Sequence, residues 1–203
     1  MAGRLMESLV VLDEGSVEED VEEVAETLGW IPLGIKDSTE AAPYQQIWED
    51  ERTGTRIVYV WDDFVNQSFL VLRSGDVATT ERQIRTALPA ANYQEVVDRL
   101  RAAADPPSTI DAVRRLTAFS GVVGRNSADP EVVGLLRRAV ERGNPDVRRM
   151  VITAAGYLEW PALLALLSQL QETDPEAEVR EAAGFVLRNV AEPAGSDPET
   201  ESR

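Results

Sequence analysis

The stretch Asn144-Pro-Asp-Val-Arg-Arg-Met-Val-Ile-Thr-Ala-Ala-Gly-Tyr-Leu158 decides the architecture of half this chain. Its Asn144 offers a side-chain oxygen to cap a helix, and Pro145 at the first helical position has no N–H to leave unsatisfied. Val147, Met150, Val151, Ala154 and Leu158 then follow at i, i+3, i+4, i+7 and i+11, one continuous apolar stripe. The pattern returns in Asp174-Pro-Glu-Ala-Glu-Val-Arg-Glu-Ala-Ala183, where Val179, Ala182, Ala183, Val186 and Val190 repeat the spacing. An earlier copy keeps Val113 and Leu116 but has Thr117 and Ser120 where Val and Ala stand later. The three Val-Arg pairs, at 113, 147 and 179, are 34 and 32 residues apart, and each has an acid close before it: Asp111, Asp146 or Glu178. That period is the length of a two-helix solenoid repeat. A degenerate first copy is expected where such an array meets a cap or another domain.

Partner helices fall between these segments. Asp129-Pro130 opens one that buries Val132, Val133, Leu136, Ala139 and Val140, with Gly143 as its terminator. Pro161 opens another whose Leu163, Leu164, Leu166, Leu167 and Leu170 make it apolar over most of its circumference. The words Asn-Pro-Asp-Val147-Arg148-Arg149 and Asp-Pro-Glu-Ala-Glu-Val179-Arg180-Glu181 resemble HEAT repeats, in particular the short bacterial type of phycobilisome-lyase-like proteins, over roughly residues 108–190. The resemblance implies helix pairs stacked in a right-handed curve and used mostly to bind proteins. It also implies that the acid and the Arg after Val link adjacent repeats or cap helix ends, Asp146 pairing with Arg148 or Arg180. The second helix of each pair would line the concave side, offering Glu131, Arg138, Glu141, Gln169 and Glu172 to a partner.

Outward from the repeats, Ala104-Asp105-Pro106-Pro107 forms a seam, since two prolines stop a helix. Charge changes across it. Residues 1–104 hold 20 acids and 9 bases, 105–190 hold 12 and 10, and 191–203 hold 4 and 1. The expected organisation is an acidic α+β domain over 1–104, an all-α solenoid over 105–190 and an acidic tail over 191–203. The tail has no apolar residue larger than Ala or Pro and is expected to be disordered.

In the first domain, Ser8-Leu-Val-Val-Leu12 reads as a short strand or as the start of a longer helix. Ser16-Val17-Glu18-Glu19 is a capping box opening a helix with Val17, Val21, Val24 and Leu28 on one face and Gly29 at its end. The other face carries Glu18, Glu19, Asp20, Glu22, Glu23 and Glu26, more acid than the helix dipole needs. Tyr44–Trp48, Thr55–Trp61 and Ser68–Arg73 read as a three-strand antiparallel meander. In the middle strand Ile57, Tyr59 and Trp61 share one face and Val58 and Val60 the other. Apolar residues on both faces call for cover on both sides. Helices near 79–89 (Ile84 and Leu88 inward) and 93–103 (Val96, Val97 and Leu100 inward) supply part of it, and the latter is expected to cap the repeats and join the halves into one rigid body.

Composition narrows the chemistry. The 203 residues contain no Cys and no His, which removes thiolate and imidazole metal sites, Cys nucleophiles and His relays from this chain. The net charge of −16 opposes direct binding to nucleic acid or anionic membranes. No apolar run reaches the length of a membrane span, and Met1–Leu12 lacks a signal-peptide pattern, so the cytosol is the expected compartment. Asp62-Asp63 at a strand end is the best-looking pair of carboxylates, but no Lys or phosphate-binding loop stands near, and both they and Glu49-Asp50-Glu51 read as solvated turn residues. Trp48, Trp61 and Trp160 read as core or junction residues. Arg137, Arg138, Arg142, Arg148 and Arg149 lie close enough to Glu141 and Asp146 for local pairing.

The sequence therefore points to an interaction module with no cofactor and no catalytic residue. Its partner-facing candidates are Glu18, Glu19, Glu22, Glu23, Glu26, Asp62 and Asp63 on the acidic domain, with Glu131, Arg138, Glu141, Gln169 and Glu172 on the repeats. The partner is another protein. The alternative is an immunity- or antitoxin-like inhibitor of a basic enzyme such as a nuclease toxin, steered by charge. A lyase-type enzyme would rest on fold analogy alone, which does not carry function.

Overall fold

Alternating apolar residues draw Tyr44–Asp50 (β3), Thr55–Asp62 (β4) and Gln67–Arg73 (β5) into an antiparallel meander, in register at Trp48↔Ile57 and Ile57↔Leu72. This is seen in a computed structural model that describes residues 7–13, 18–39, 42–122 and 128–191. The sheet is wider than the meander. Glu7–Leu12 (β1) is a strand lying between β5 and Ala90–Ala91 (β6), and Ile31–Lys36 (β2) adds a further strand beside β3. The order is β2-β3-β4-β5-β1-β6, with every pairing antiparallel. Pro32 and Gly34 interrupt β2 and argue against a strand in sequence; in space they mark a register shift.

One face of this sheet carries Val10, Leu12, Trp48, Ile57, Tyr59, Leu70 and Leu72. They share a core with Val21, Val24 and Ala25 of α1 (Glu18–Leu28) and Val77 and Ile84 of α2 (Val77–Ala87). The alternate residues Leu9, Val11, Val58, Val60, Phe69 and Val71 are buried as well, so both faces are covered. In α3 (Tyr93–Ala102), Val96, Val97 and Leu100 are buried, as the apolar spacing requires. Gly29 ends α1 at φ +70°, a left-handed position that suits a residue without Cβ. Ser16 and Val17 of the expected capping box lie outside the described residues.

The chain falls into two compact units, Met1–Ala102 with Arg114–Arg125, and Ala103–Val113 with Asn126–Arg203. α4 (Pro106–Val122), capped by Asp105 through Ser108 N at 2.9 Å, is divided between them. Its second half belongs to the sheet unit, where Arg115 donates to Leu12 O at 2.9 Å and Phe119 meets Tyr93 edge-on at 5.9 Å. This accounts for the departure of the first repeat from the later stripes. Thr117 is buried on the half of α4 that belongs to the sheet unit. The side chain of Ser120 lies outside the described residues.

The second unit contains α5 (Pro130–Arg142), α6 (Pro145–Leu158), α7 (Pro161–Thr173) and α8 (Ala177–Ala191). α6 packs on α8, α5 and α7, and α5 touches α7, so the Val-Arg helices α6 and α8 lie together and the partner helices lie together. Asp129 accepts from Glu131 N and Asn144 from Val147 N, which are the helix starts the Asx-Pro pairs require. Gly143 ends α5 for a reason other than a left-handed turn. Its φ is −80°, and a Cβ there would stand 2.5 Å from Ala139 O and 2.6 Å from Val147 Cβ. Asp174-Pro175 departs from the other starts. Asp174 N closes α7 on Leu170 O, while its carboxylate receives Glu176 N just before α8. The expected tail lies beyond Ala191, outside the described residues.

Candidate binding surfaces

The second repeat stripe positions a set of ion pairs that determines which polar groups remain outward. Arg148 donates to Gly143 O at 2.9 Å and to Asp174 Oδ1 at 3.2 Å, with its Nε 2.8 Å from Asp174 Oδ2. Arg180 donates to Asp174 O at 2.6 Å. Gly143 and Asp174 are the residues that close α5 and α7. Arg148 and Arg180 therefore each satisfy a carbonyl at the end of the preceding helix, a role anticipated from the repeat resemblance. The expected pairing of Asp146 with Arg148 or Arg180 is corrected. Asp146 receives Arg149 at 2.5 Å, and Arg149 also reaches Glu178 on α8 at 2.6 Å. Side chains three apart on a helix share a face, whereas Arg148, two after Asp146, points elsewhere.

With these groups engaged with one another and with helix ends, the outward residues of α5 and α7 include Glu131, Arg138, Glu141, Gln169 and Glu172, all exposed. They stand on two helices that touch, so the fold gathers them on one layer of the unit.

In the sheet unit the acidic face of α1 is partly engaged. Glu18 accepts from Tyr44 Oη at 2.5 Å and Glu22 accepts from Gln46 Nε2 at 2.8 Å, both on β3. The bond to Glu18 holds the Tyr44 phenol neutral and raises its pKa to about 12. Glu19, Glu23 and Glu26 are exposed. The Asp62-Asp63 pair is split by burial. Asp62 is buried and accepts from Phe64 N at 3.0 Å and Val65 N at 3.3 Å, shaping the β4–β5 turn, while Asp63 accepts from the indole of Trp61. Asp62 is thus a turn carboxylate rather than a solvated one, and the two oxygens that would have to converge on one ligand are committed to different donors. Asp50 is likewise buried and receives Arg52 N at 3.0 Å. Among the described residues no group of three or more Asp or Glu is placed to hold a metal ion. Trp48 and Trp160 are buried and Trp61 is half-buried.

Ile31, Leu33 and Ile35 of β2 are exposed, although their i, i+2, i+4 spacing is that of a strand. Phe185 on α8 is exposed as well. Among the described residues no helix is long and apolar enough to cross a membrane. A family model described as HEAT repeats matches residues 94–188, beginning within α3 and ending within α8. No curated protein and no solved structure matches the chain.

Proposed function

We propose that this protein, whose residues 94–188 match a family model of HEAT repeats, is a non-enzymatic adaptor that holds another protein on the outward faces of α5 and α7. The observation that carries this reading is the division of labour among polar residues. Arg148, Asp174, Arg180 and Arg149 are spent on helix ends and inter-helix pairs, whereas Glu131, Arg138, Glu141, Gln169 and Glu172 stand exposed on adjoining helices. HEAT arrays commonly serve protein binding, and a chain without Cys or His has few residue types for covalent or relay chemistry.

The test is recovery of a complex with the full chain from native lysate, followed by reconstitution from purified partners. Replacing Glu131 and Glu141 by Lys, together with Glu172→Lys, is expected to weaken the complex at least about tenfold, the effect of losing interface charge pairs. No stable complex by size exclusion, or a complex indifferent to all three changes, counts against the reading.

The exposed acids Glu19, Glu23 and Glu26 favour a second reading, an inhibitor that masks a basic enzyme such as a nuclease toxin. Charge steering makes its association rate fall steeply with ionic strength. A rate that stays constant from low to high salt would remove that mechanism.

A further inference from the structure

β2 is an edge strand with the side-chain pattern of an interior one. Interior strands of a sheet covered on both faces carry apolar residues on both faces, as β4 and β5 do here. In β2, Ile31 pairs with Glu49 and Ile35 with Gln46, positions of opposite parity on β3, so the two isoleucines point to opposite faces. Leu33 occupies the shift between them. All six residues of β2 are exposed, with Ile31, Leu33 and Ile35 at 41%, 48% and 60%. Among the described residues β2 pairs with β3 alone. The opposite edge of the sheet differs, since β6 is two alanines long and Ala91 is buried.

We propose that β2 accepts an extended segment of a partner protein as a seventh strand, a segment carrying aliphatic residues and net positive charge. An added strand is the one occupant that covers Ile31 and Ile35 together, because a helix laid on either face reaches only one of them. Pro32 has no N–H to donate, so the hydrogen bonds of the new ladder fall along Gly34–Lys36, while the added strand continues past Pro32 beside Ile31. The same Pro32 and the register shift discourage open-ended pairing of identical edges.

Charge selects the partner. Ile35 lies opposite Gln46, whose amide is bonded to Glu22, and Glu18 holds Tyr44 two residues away on the same strand. Glu26 continues that line one turn further along α1 and is exposed. Glu49 stands opposite Ile31 on the other face, and Lys36 is the single base of β2. A second copy of this chain would bring two such acidic flanks together and be repelled. A strand with Lys or Arg among its aliphatic residues would be attracted. This site is separate from the repeat helices, so it stands or falls independently of the adaptor surface on α5 and α7.

The probe is a short synthetic peptide with consecutive Val residues at its centre, so that both faces of the added strand carry Val, and Lys at its flanks, titrated against the full chain by fluorescence anisotropy, with amide exchange read on β2. The expected result is saturable binding with slowed exchange at Leu33–Lys36. It should weaken at least about tenfold when Glu replaces Lys in the peptide, and equally with Ile35→Lys. Because Ile35 is exposed, I35K should leave the melting curve unchanged. A peptide N-methylated at alternate residues keeps its charge and side chains but loses ladder donors, and should fail to bind. Equal binding of the N-methylated peptide overturns strand addition, and no binding of the unmodified peptide to folded protein overturns the site. A concentration-dependent dimer abolished by I35K assigns the edge to a second copy and likewise overturns the proposal.

Discussion

Arg148 and Asp174 are 26 residues apart in sequence, and their side chains are 13% and 2% exposed. Removing one partner of so enclosed a pair leaves the other charge desolvated and alone, a loss of about 3–5 kcal/mol. Asp174→Ala and Arg148→Ala should each lower the urea midpoint accordingly. The double variant should lose less than the sum, because the second change removes the orphaned charge. Additive losses would show that the two groups do not act as a pair. Asp13 makes a second residue-scale prediction. Burial pushes its carboxyl up, but hydrogen bonds and charge from Arg99 and Arg115 outweigh that and hold it below the ordinary carboxylate value. A lowered native pKa adds stability above the unfolded value, and this is lost as pH falls through the native one. The stability gap between the native protein and Asp13→Asn should therefore close as pH falls through the acid range. A gap independent of pH in urea melts would contradict this. Neither partnership could be read locally. The repeat resemblance paired Asp146 with Arg148 or Arg180, and only the faces of an actual helix give it Arg149 instead.

At the scale of elements, α6 and α8 meet where Gly156 would, if it had a Cβ, place it 2.7 Å from Val186 Cγ1. Gly→Ala inside a helix ordinarily stabilises by about 1 kcal/mol through propensity. Here the β-branched Val186, held to one strongly preferred χ1 rotamer in a helix, must shift, so Gly156→Ala should destabilise by about 1–3 kcal/mol. Val186→Ala in the same chain should recover most of the loss, and a stabilised single variant in thermal melts would contradict the packing. The repeat helices were legible because their stripes and Asx-Pro starts are local signals, each spanning a few residues. β2 was not, because Pro32 and Gly34 break the local strand signal that Ile31, Leu33 and Ile35 make. β1 stayed open between strand and helix because Ser8–Leu12 is a short apolar run without periodicity, and only its pairing with β5 and β6 makes it a strand.

At the scale of the whole molecule, α4 serves two units at once. Phe119 lies in the half that belongs to the sheet unit, buried against Tyr93. Phe119→Ala should cost about 3–5 kcal/mol and appear as faster amide exchange in β1 and α3. Faster exchange confined to α6–α8 would assign this helix half to the repeats instead. The proline seam before α4 was visible in the sequence, but the division of the helix beyond it was not, since nothing in a helical stripe states which neighbour will cover it. By itself the sequence determined the repeat period, from Val-Arg pairs 34 and 32 residues apart, and the apolar stripes, the helix starts and the meander, which spacings of two to four residues fix. Only the tertiary structure decided the sheet order, the partner of Arg148, the sharing of α4 and the exposure of β2. Those depend on contacts between segments far apart in sequence, and periodicity fixes the face a residue presents without fixing what that face meets.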